Sequence, residues 1–473
     1  MHQEYQEYIM EEQRKQRDST LLVTSVTAFM APFMISSINV ALPAIQIEFG
    51  ADAVLLGWIA TSYLLATAML LVPAGKFADI YGRKKVFVSG VVVYFIGSFI
   101  AFFAPDIEWF LVTRVIQGLG AAMFITTGMA ILTSVFPPSR RGKVIGILVT
   151  SVYAGLASGP FAGGFMTNFF GWRSIFAFML LLCAVSLFVS LRYLKGEWAD
   201  ARGEKFDLAG SGLYAVSIFS LVYGSTRMPE VYAFMLAAAG LTGFVLFFRH
   251  QNRTRYPVFE VNLFRENRTF LYSGLAALIN YAATFAVTFQ ISLYLQYIKG
   301  MTPHTAGTIL MTQPVVMALF STYAGRLSDR IEPRVIASAG MALTALGLAV
   351  FVFLTGKSSL WLVTFNLVLL GFGFALFSSP NMSAIMGSVE RRQYGLASGT
   401  VATMRLLGQM ASMSIATLFL ALYVGREEIL PSNYPQFLQS MKSCFAFFVV
   451  LCVIGIGFSL MRGRITPAAD IGS

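Results

Sequence analysis

Long apolar runs, separated by short polar stretches, recur along the whole 473-residue chain. A helix that crosses a bilayer needs about 20 predominantly apolar residues, and the sequence contains fourteen such runs. Only helices and closed barrels satisfy every backbone polar group in lipid, and these runs lack the alternation of barrel strands. The pattern therefore predicts an all-α membrane protein with 14 transmembrane helices. The predicted spans are residues 20–46, 55–74, 86–104, 110–136, 144–170, 174–194, 207–225, 231–249, 270–297, 305–327, 334–354, 359–386, 396–424 and 441–462.

The distribution of charge orients these spans. The chain is 56% hydrophobic and 12% charged, whereas an ordinary soluble chain is about 25% charged. The segments between the spans lie alternately on the two sides of the membrane. Of the 34 Lys and Arg residues, 26 lie in or at the edges of the segments on one side, six lie in those on the other side, and two lie within spans. The positive-inside rule then predicts a protein of the cell membrane with both termini cytoplasmic. Because topology explains the net charge of +11, the expected partner is the lipid bilayer and not nucleic acid.

Several classes of chemistry find no support in the sequence. There is no GxxxxGK[ST] loop for ATP, no His and Cys cluster with metal-ligand spacing, and no Ser, His and acid set within the spans. Cys183, Cys444 and Cys452 fall in apolar runs, which argues against a disulfide framework. We expect no enzyme activity, no cofactor and no metal.

An internal repeat organises the chain. GKFADIYGRKK at Gly75 is answered by GRLSDRIEPRV at Gly325, and GLGAAMF at Gly118 by GFGFALF at Gly371. These matches predict two six-helix halves with two inserted helices between them. The predicted division is a cytoplasmic tail (1–19), a six-helix bundle (20–195), a two-helix insertion with linkers (196–250), a second six-helix bundle (251–464) and a cytoplasmic tail (465–473).

The loop motif GKFADIYGRKK combines a tight turn with charge. Gly75 and Gly82 permit the turn, Asp79 can cap a helix or pair with arginine, and Arg83 faces the cytoplasmic surface. A turn that merely obeys the positive-inside rule would look similar. Its recurrence at Gly325 and Asp329 favours a specific role.

Two arginines lie within predicted spans. LVTRVIQGLGAA places Arg114 and Gln117 three residues apart, on one helix face, and TMRLLGQM contains Arg405. A cation in the membrane costs several kcal/mol unless it has a partner or a wet cavity, so a functional role is the default interpretation. Snorkelling to the membrane surface is the alternative.

Other polar residues interrupt the spans. In FMISSINVALPAI, Ser36, Ser37 and Asn39 face either a neighbouring helix or a central cavity. In GLASGPFAGG, Gly155, Gly159 and Gly163 are four apart, which allows close helix packing. The candidate substrate and proton pathway consists of Asn39, Arg114, Gln117, Asn280, Gln290, Tyr294, Gln313, Asn381 and Arg405.

Together these motifs resemble the major facilitator superfamily, and in particular its fourteen-helix drug:proton antiporter branch. The resemblance covers nearly the whole chain and includes FGWRSIF, FDLAG and YGLASGT. It implies a monomeric multidrug efflux transporter that works by alternating access, with a small molecule as substrate and protons as a possible coupling ion.

The resemblance also implies roles for particular residues. The cytoplasmic latch of the outward-facing state would consist of Gly75, Asp79, Gly82, Arg83, Gly325 and Asp329. Arg114 would take part in proton or substrate handling. The antiporter motif, which is held to seal the bundle, would consist of Gly155, Gly159, Pro160, Gly163 and Gly164.

Two departures from the family pattern change the expectations. The second copy of the latch reads IEP where the first reads YGR, which predicts a weaker latch. Met34 occupies the position where this branch carries an aspartate; every Asp and Glu lies in a loop or at the edge of a predicted span, and all three histidines, His2, His250 and His304, lie outside the predicted spans. Proton coupling usually needs a buried carboxylate or a histidine.

Three hypotheses remain from the sequence alone. The first is a proton-coupled exporter that uses carboxylates at span edges, such as Asp79 or Asp207. The second is a facilitator, or a transporter coupled to something else, which explains Met34 directly. The third is a receptor that kept the fold, and the intact first latch argues against it. With two in-span arginines, neutral, lipophilic or anionic compounds fit better than cations.

Overall fold

The computed structural model describes residues 2–228, 230–328, 330–389 and 394–463. Its α-helices are α1 (His2–Phe49), α2 (Ala53–Tyr81), α3 (Arg83–Phe102), α4 (Ile107–Val135), α5 (Pro138–Phe170), α6 (Arg173–Tyr193), α7 (Leu208–Thr226), α8 (Val231–Gln251), α9 (Asn262–Glu266), α10 (Arg268–Thr284), α11 (Ala286–Leu293), α12 (Pro303–Leu310), α13 (Thr312–Ser328), α14 (Pro333–Val352), α15 (Leu360–Gly387), α16 (Tyr394–Tyr423) and α17 (Tyr434–Met461). A π-helical turn (Tyr294–Ile298) follows α11.

By length and composition, 14 membrane spans can be drawn from these helices. α10, α11 and the π-helical turn form the ninth span, Arg268–Ile298, and α12 with α13 form the tenth, Pro303–Ser328. The prediction of an all-α protein with 14 spans is therefore confirmed. The expectation that the spans hold no acid or histidine is corrected, because the helices extend past the predicted spans and include Glu48, Asp79, His250 and His304 near their ends. Below, outer and cytoplasmic follow the predicted charge asymmetry.

Acidic residues at the outer surface begin several helices. The Asp52 carboxylate accepts a hydrogen bond from the Leu55 backbone N–H at 2.7 Å, and Asp106 accepts one from Trp109 at 2.8 Å. An N-cap of this kind satisfies a backbone donor that has no partner inside the helix. These two carboxylates therefore have a structural role at the ends of α2 and α4.

The two halves repeat the same helix crossing. α3 packs on α4 through Gly90 and Gly120, and α14 packs on α15 through Gly340 and Gly373. In both pairs a Cβ on either glycine would lie within 3.0 Å of the partner's backbone oxygen. This equivalence supports the predicted repeat, whereas the boundaries of the five segments stay a prediction.

The inserted helices lie beside the junction of the two halves. α7 and α8 pack on each other, and α7 also contacts α2 of the first half and α16 of the second. The rings of Trp58 and Tyr223 are 5.9 Å apart across the α2–α7 contact. The insertion thus borders both halves along one edge.

Candidate transport pathway

A cavity of about 80 Å³ lies between the two halves. Helices α1 and α5 of the first half form one wall, and helices of the second half form the other. Its lining residues are Ile35, Ser36, Asn39, Leu156, Pro160, Tyr281, Thr284, Phe285, Thr288, Leu310, Gln313, Pro314, Met317, Phe374 and Gln409. None of these lining residues is charged. Sites for drug-sized ligands usually measure about 300–1,000 Å³, so this cavity has to enlarge around such a ligand.

The polar stripe of α1 has two uses. Ser37 donates its hydroxyl hydrogen bond to the Gly159 carbonyl at 3.0 Å, and Ser36 donates to the Pro32 carbonyl at 2.8 Å. Asn39 lines the cavity, and its Oδ1 atom is buried without a hydrogen-bond partner among the described residues. Ser36 and Ser37 therefore use their hydroxyls for hydrogen bonds within the first half, whereas Asn39 lines the cavity with an acceptor that has no partner in the described residues.

The small residues of α5 permit close approach on two faces. On one face, a Cβ at Gly155 or Gly159 would collide with α1, and one at Gly163 would lie 2.5 Å from Ser37 Cβ. On the other face, a Cβ at Gly164 would collide with the Pro303 carbonyl. The α5 motif thus brings α5 against α1 and, across the junction, against α12.

The outer seam is the set of contacts between the halves on the outer side of the cavity. In it, the carbonyl of Pro160 lies where a Cβ on Gly307 would be. A Cβ on Gly57 of α2 would similarly collide with Thr417 of α16. These two crossings, α5 with α12 and α2 with α16, are equivalent under the repeat.

Hydrogen bonds reinforce the outer seam. Ser292 donates to the Asn39 carbonyl at 2.7 Å, Gln296 donates to the Val40 carbonyl at 3.0 Å, and the Ala53 backbone N–H donates to the Glu427 carbonyl at 2.9 Å. Tyr297 and Gln46 add a side-chain hydrogen bond. All hydrogen bonds found between the halves in the described part of the chain lie at this end. The seam joins the two halves on the outer side of the cavity.

Arg114 lies inside the first half and does not line the cavity. It is fully buried, donates to the Ile59 carbonyl at 3.1 Å and to Gln117 Oε1 at 2.7 Å, and lies 4.6 Å from the centre of the Tyr63 ring. Gln117 in turn donates to the Ser98 hydroxyl at 2.8 Å. No carboxylate pairs with this cation among the described residues, and its Nη2 atom has no hydrogen-bond partner there.

Arg405 lies at the margin of the cavity. It is half-buried, and its side chain interacts with the Tyr281 hydroxyl, which also has Ser378 and Tyr153 beside it. Tyr281 lines the cavity, and so does Gln409, one helical turn beyond Arg405 on α16. Within the described ranges Arg405 forms no ion pair with a carboxylate. Arg405 therefore lies beside a residue that lines the cavity.

The remaining predicted pathway residues divide between cavity and interior. Gln313 lines the cavity, with its Oε1 atom buried and unpaired in the described structure. Asn280 and Gln290 are fully buried elsewhere in the second half. The Tyr294 hydroxyl donates to the Thr355 carbonyl at 2.7 Å. Pathway roles for the buried residues stay predictions.

Asn381 belongs to a polar cluster at the cytoplasmic end of the second half. Arg462 donates to Asn381 Oδ1 at 2.9 Å and to the Pro333 carbonyl at 3.1 Å, and Asn381 donates to the Ser273 carbonyl at 3.1 Å. Burial lowers the pKa of Arg462 to about 10, so the side chain remains charged at neutral pH. The cluster ties α10, α14 and α15 to the end of α17.

The first latch motif is covered by the linker that follows α6. Arg83 pairs with Asp79 and with Asp200 of the linker, both at 2.7 Å. Glu197 of the linker accepts hydrogen bonds from the Lys84 and Lys85 backbone N–H groups at 2.8 and 3.3 Å.

The conformation of the turn explains the glycine there. Gly82 has a φ of +121°, a value that residues with a Cβ rarely adopt. In the second copy of the motif, a Cβ added to Gly325 would lie 2.8 Å from Ser379 Oγ. In the first copy, a Cβ added to Gly75 would contact Thr126. Asp329 lies outside the described residues.

Sequence reasoning missed several lining residues. Tyr281, Thr284 and Thr288 follow one face of the ninth span, and Gln409 is four residues from Arg405. The four-residue spacing of Gln409 was a usable signal, because it places both side chains on one helix face. Tyr281 and the threonines carry no such signal, since both types are common in membrane helices.

No group of three or more His, Cys, Asp or Glu side chains in the described residues could hold a metal ion. The arrangement suits the binding of a small molecule and a movement of the two halves, because a small cavity lies between two similar halves that are joined by hydrogen bonds at one end.

Comparison with known proteins agrees with this geometry. The chain is 27% identical over 444 residues to the riboflavin transporter RibZ of Clostridioides difficile, covering 93% of this chain and 96% of that one. It is 31% identical over 412 residues to the multidrug resistance protein Stp of Mycobacterium tuberculosis, covering 86% and 76%. A crystal structure of the peptide transporter POT in complex with sulfate shares the fold, with a TM-score of 0.70 over 95% of this chain and 96% of that one at 14% identity.

A match to the sequence pattern of a protein family assigns this chain to that family. The pattern described as Major Facilitator Superfamily matches residues 24–265 and 273–471. Relatives that include multidrug resistance proteins agree with the resemblance to its efflux branch. This chain is a membrane transporter that belongs to the Major Facilitator Superfamily.

Proposed function

We propose that this transporter exports drug-like or lipophilic small molecules across the cell membrane by alternating access, with both termini cytoplasmic. The observation that carries the proposal is the position of the cavity between two similar halves whose described hydrogen bonds all lie on its outer side. In such an arrangement, rocking of the halves about a central site exposes it to each side in turn.

The outer seam supports the direction of opening. Backbone contacts at Gly307 and Gly164 leave no space there, whereas no cross-half hydrogen bond is found on the cytoplasmic side of the cavity in the described chain. These contacts support the inference that the described state is closed to the outside. A compound leaving the cell would enter this state first.

The relatives support export. The multidrug resistance protein Stp and the drug efflux pump JefA, both of Mycobacterium tuberculosis, are among them, and so is the tetracenomycin C resistance and export protein of Streptomyces glaucescens. The riboflavin transporter RibZ widens the range of substrates to be tested. By this analogy the chain would lower the cellular concentration of its substrates.

Coupling to protons is the first candidate for the energy source, with Asp79 or Asp207 at span edges as the titrating groups. Two observations favour a second candidate, transport that does not use protons. Met34 is buried at the position where the branch carries an acid. The lining of the cavity, as far as the structure describes it, contains no carboxylate and no histidine.

Proton flux in proteoliposomes separates these candidates. Liposomes containing the purified protein and an internal pH-sensitive dye receive lipophilic cations, neutral drugs and organic anions in turn. The control is Arg114→Ala. Substrate movement with a proton signal that the control abolishes supports antiport. Substrate movement without a proton signal excludes antiport and leaves the facilitator, and failure of every compound to move contradicts the transport proposal.

A further inference from the structure

The two arginines within the spans differ in what they can contact. Arg114 is fully buried and bonded within the first half, away from the cavity. Arg405 is half-buried beside Tyr281, whose ring lines the cavity. Only Arg405 is placed to reach a molecule that occupies the space between the halves.

No negative charge compensates Arg405 within the described structure. The lining has no Asp or Glu, and the ion pairs of the described chain lie at the ends of the spans. Arg405 is half-buried, so it keeps part of its hydration, and a bound anion would gain a charge-assisted hydrogen bond to a cation that has no carboxylate partner in the described chain. Arg405 therefore places a positive charge without a carboxylate partner at the margin of the cavity.

The surroundings of that charge suit an aromatic body. The ring of Tyr281 lies 5.3 Å from that of Phe374 in a T-shaped arrangement, and both line the cavity. Tyr153 and Leu156 of α5 pack against the same cluster from the first half. A planar apolar group entering beside Arg405 would contact side chains of both halves.

The lining of the cavity also includes two side chains with unpaired acceptors, one from each half. Asn39 Oδ1 and Gln313 Oε1 are buried and unpaired in the described residues, and both side chains line the space. A buried acceptor without a partner is costly, so a ligand that donates an N–H or O–H to it gains affinity. A ligand in this space would thus find a cation, Arg405, at the margin and two hydrogen-bond acceptors, on Asn39 and Gln313, in the lining.

We propose that Arg405 binds the anionic group of the transported compound, so that the substrates of this transporter are aromatic organic anions and not lipophilic cations. The inference rests on the proposed export function for the identity of the site. Tyr281 and Gln409 orient the bound anion, and Tyr281 with Phe374 contacts its ring.

The test uses three probes that share one ring and differ in charge: 2-naphthoate, 2-naphthamide and 2-naphthyltrimethylammonium. Their dissociation constants are measured with the full-length protein in nanodiscs. The wild type should bind the carboxylate at least tenfold more tightly than the amide. In Arg405→Gln that preference should disappear while the affinity for the amide is unchanged, and in Arg405→Lys part of the preference should remain.

The matched control is Arg227→Gln, because Arg227 stacks on Tyr223 between the inserted helices, outside the cavity. It should keep the wild-type preference. The wild-type ranking of the probes tests the inference even if Arg405→Gln does not fold. Tight binding of the ammonium probe, equal binding of amide and carboxylate, or no saturable binding of the carboxylate overturns the inference.

Transport of the same three probes in the proteoliposomes described above separates this inference from the export proposal. If the carboxylate binds through Arg405 but is not moved, export fails and the anion site stands. If neutral compounds are exported regardless of Arg405, export stands and the anion site fails.

Discussion

The helix pairs α3–α4 and α14–α15 cross at equivalent glycines of the repeat, but they bury different side chains nearby. In the first half, Gln117 of α4 donates to Ser98 of α3 and accepts from Arg114, which in turn donates to the Ile59 carbonyl of α2. The repeat matches these three side chains with Leu348, Leu367 and Leu370, all buried in the second half. The second half demonstrates that this crossing packs without a charge.

The difference indicates that the polar network of the first half is not required for the fold. Burying an arginine without a carboxylate is costly, and replacing buried ionic groups by apolar residues of similar volume is often neutral or stabilising. We therefore propose that this network serves transport and not folding. The predictions below test that asymmetry, starting with the largest effect.

Making the first half resemble the second should stop transport without unfolding the protein. We expect the variant Ser98→Leu/Arg114→Leu/Gln117→Leu to melt no lower than the wild type in detergent. Its rate of substrate transport in proteoliposomes should fall at least tenfold. A variant that transports normally would show that the network is dispensable, and one that melts much lower would show that the two crossings are not equivalent.

A second prediction compares the two crossings of the outer seam. An alanine at Gly307 meets the Pro160 backbone carbonyl, which cannot move aside, whereas an alanine at Gly57 meets the Thr417 side chain. Overpacking of this kind costs about 1–3 kcal/mol, which shifts an equilibrium between two states by about 5- to 150-fold. Gly307→Ala should therefore disfavour the closed outer seam strongly.

Rescue distinguishes the two sites. Thr417→Ala should restore much of the transport lost in Gly57→Ala, because it removes the Oγ1 and Cγ2 atoms with which a new Cβ would collide and leaves only the Thr417 Cβ, at 2.9 Å. The same substitution should do nothing for Gly307→Ala. Transport rates of the four variants, normalised to the amount of reconstituted protein, provide the comparison. Rescue of both sites or of neither would contradict the proposed packing difference.

The smallest predicted effect lies at the insertion between the halves. Asp207 accepts hydrogen bonds from the Gly210 backbone N–H at 2.8 Å and from Gln251 at 2.9 Å, and contacts the His250 ring at 3.0 Å. Burial raises the pKa of this carboxyl, but the hydrogen bonds and His250 outweigh burial, so the pKa is lowered overall.

The direction of that shift sets the pH dependence. A carboxyl with a lowered folded pKa stabilises the protein fully above the ordinary pKa of aspartate, about 3.9, and the contribution is lost as pH falls through the folded value. Asp207→Asn should lower the melting temperature by a few degrees at neutral pH, with a difference that shrinks in acid. A constant difference across this pH range would contradict the assignment.

The fold could be predicted from the sequence because lipid imposes a strong rule: apolar runs of sufficient length must form helices. The positions of the polar residues could not be predicted, because in-span residues such as Arg114 and Arg405 look alike until the neighbouring helices are placed. Asn39 and Ser37, two residues apart, likewise differ only in which helix they face.

The most direct test of alternating access measures the distance between the outer ends of the two halves. Ile47 and Trp361 are exposed at those ends, on α1 and α15, and the native cysteines are buried. Spin labels at Ile47→Cys and Trp361→Cys in nanodiscs should report a short distance for the closed outer seam and a longer one for the open state. The account predicts that Gly307→Ala shifts the population to the longer distance. A single distance, unchanged by Gly307→Ala, would contradict it.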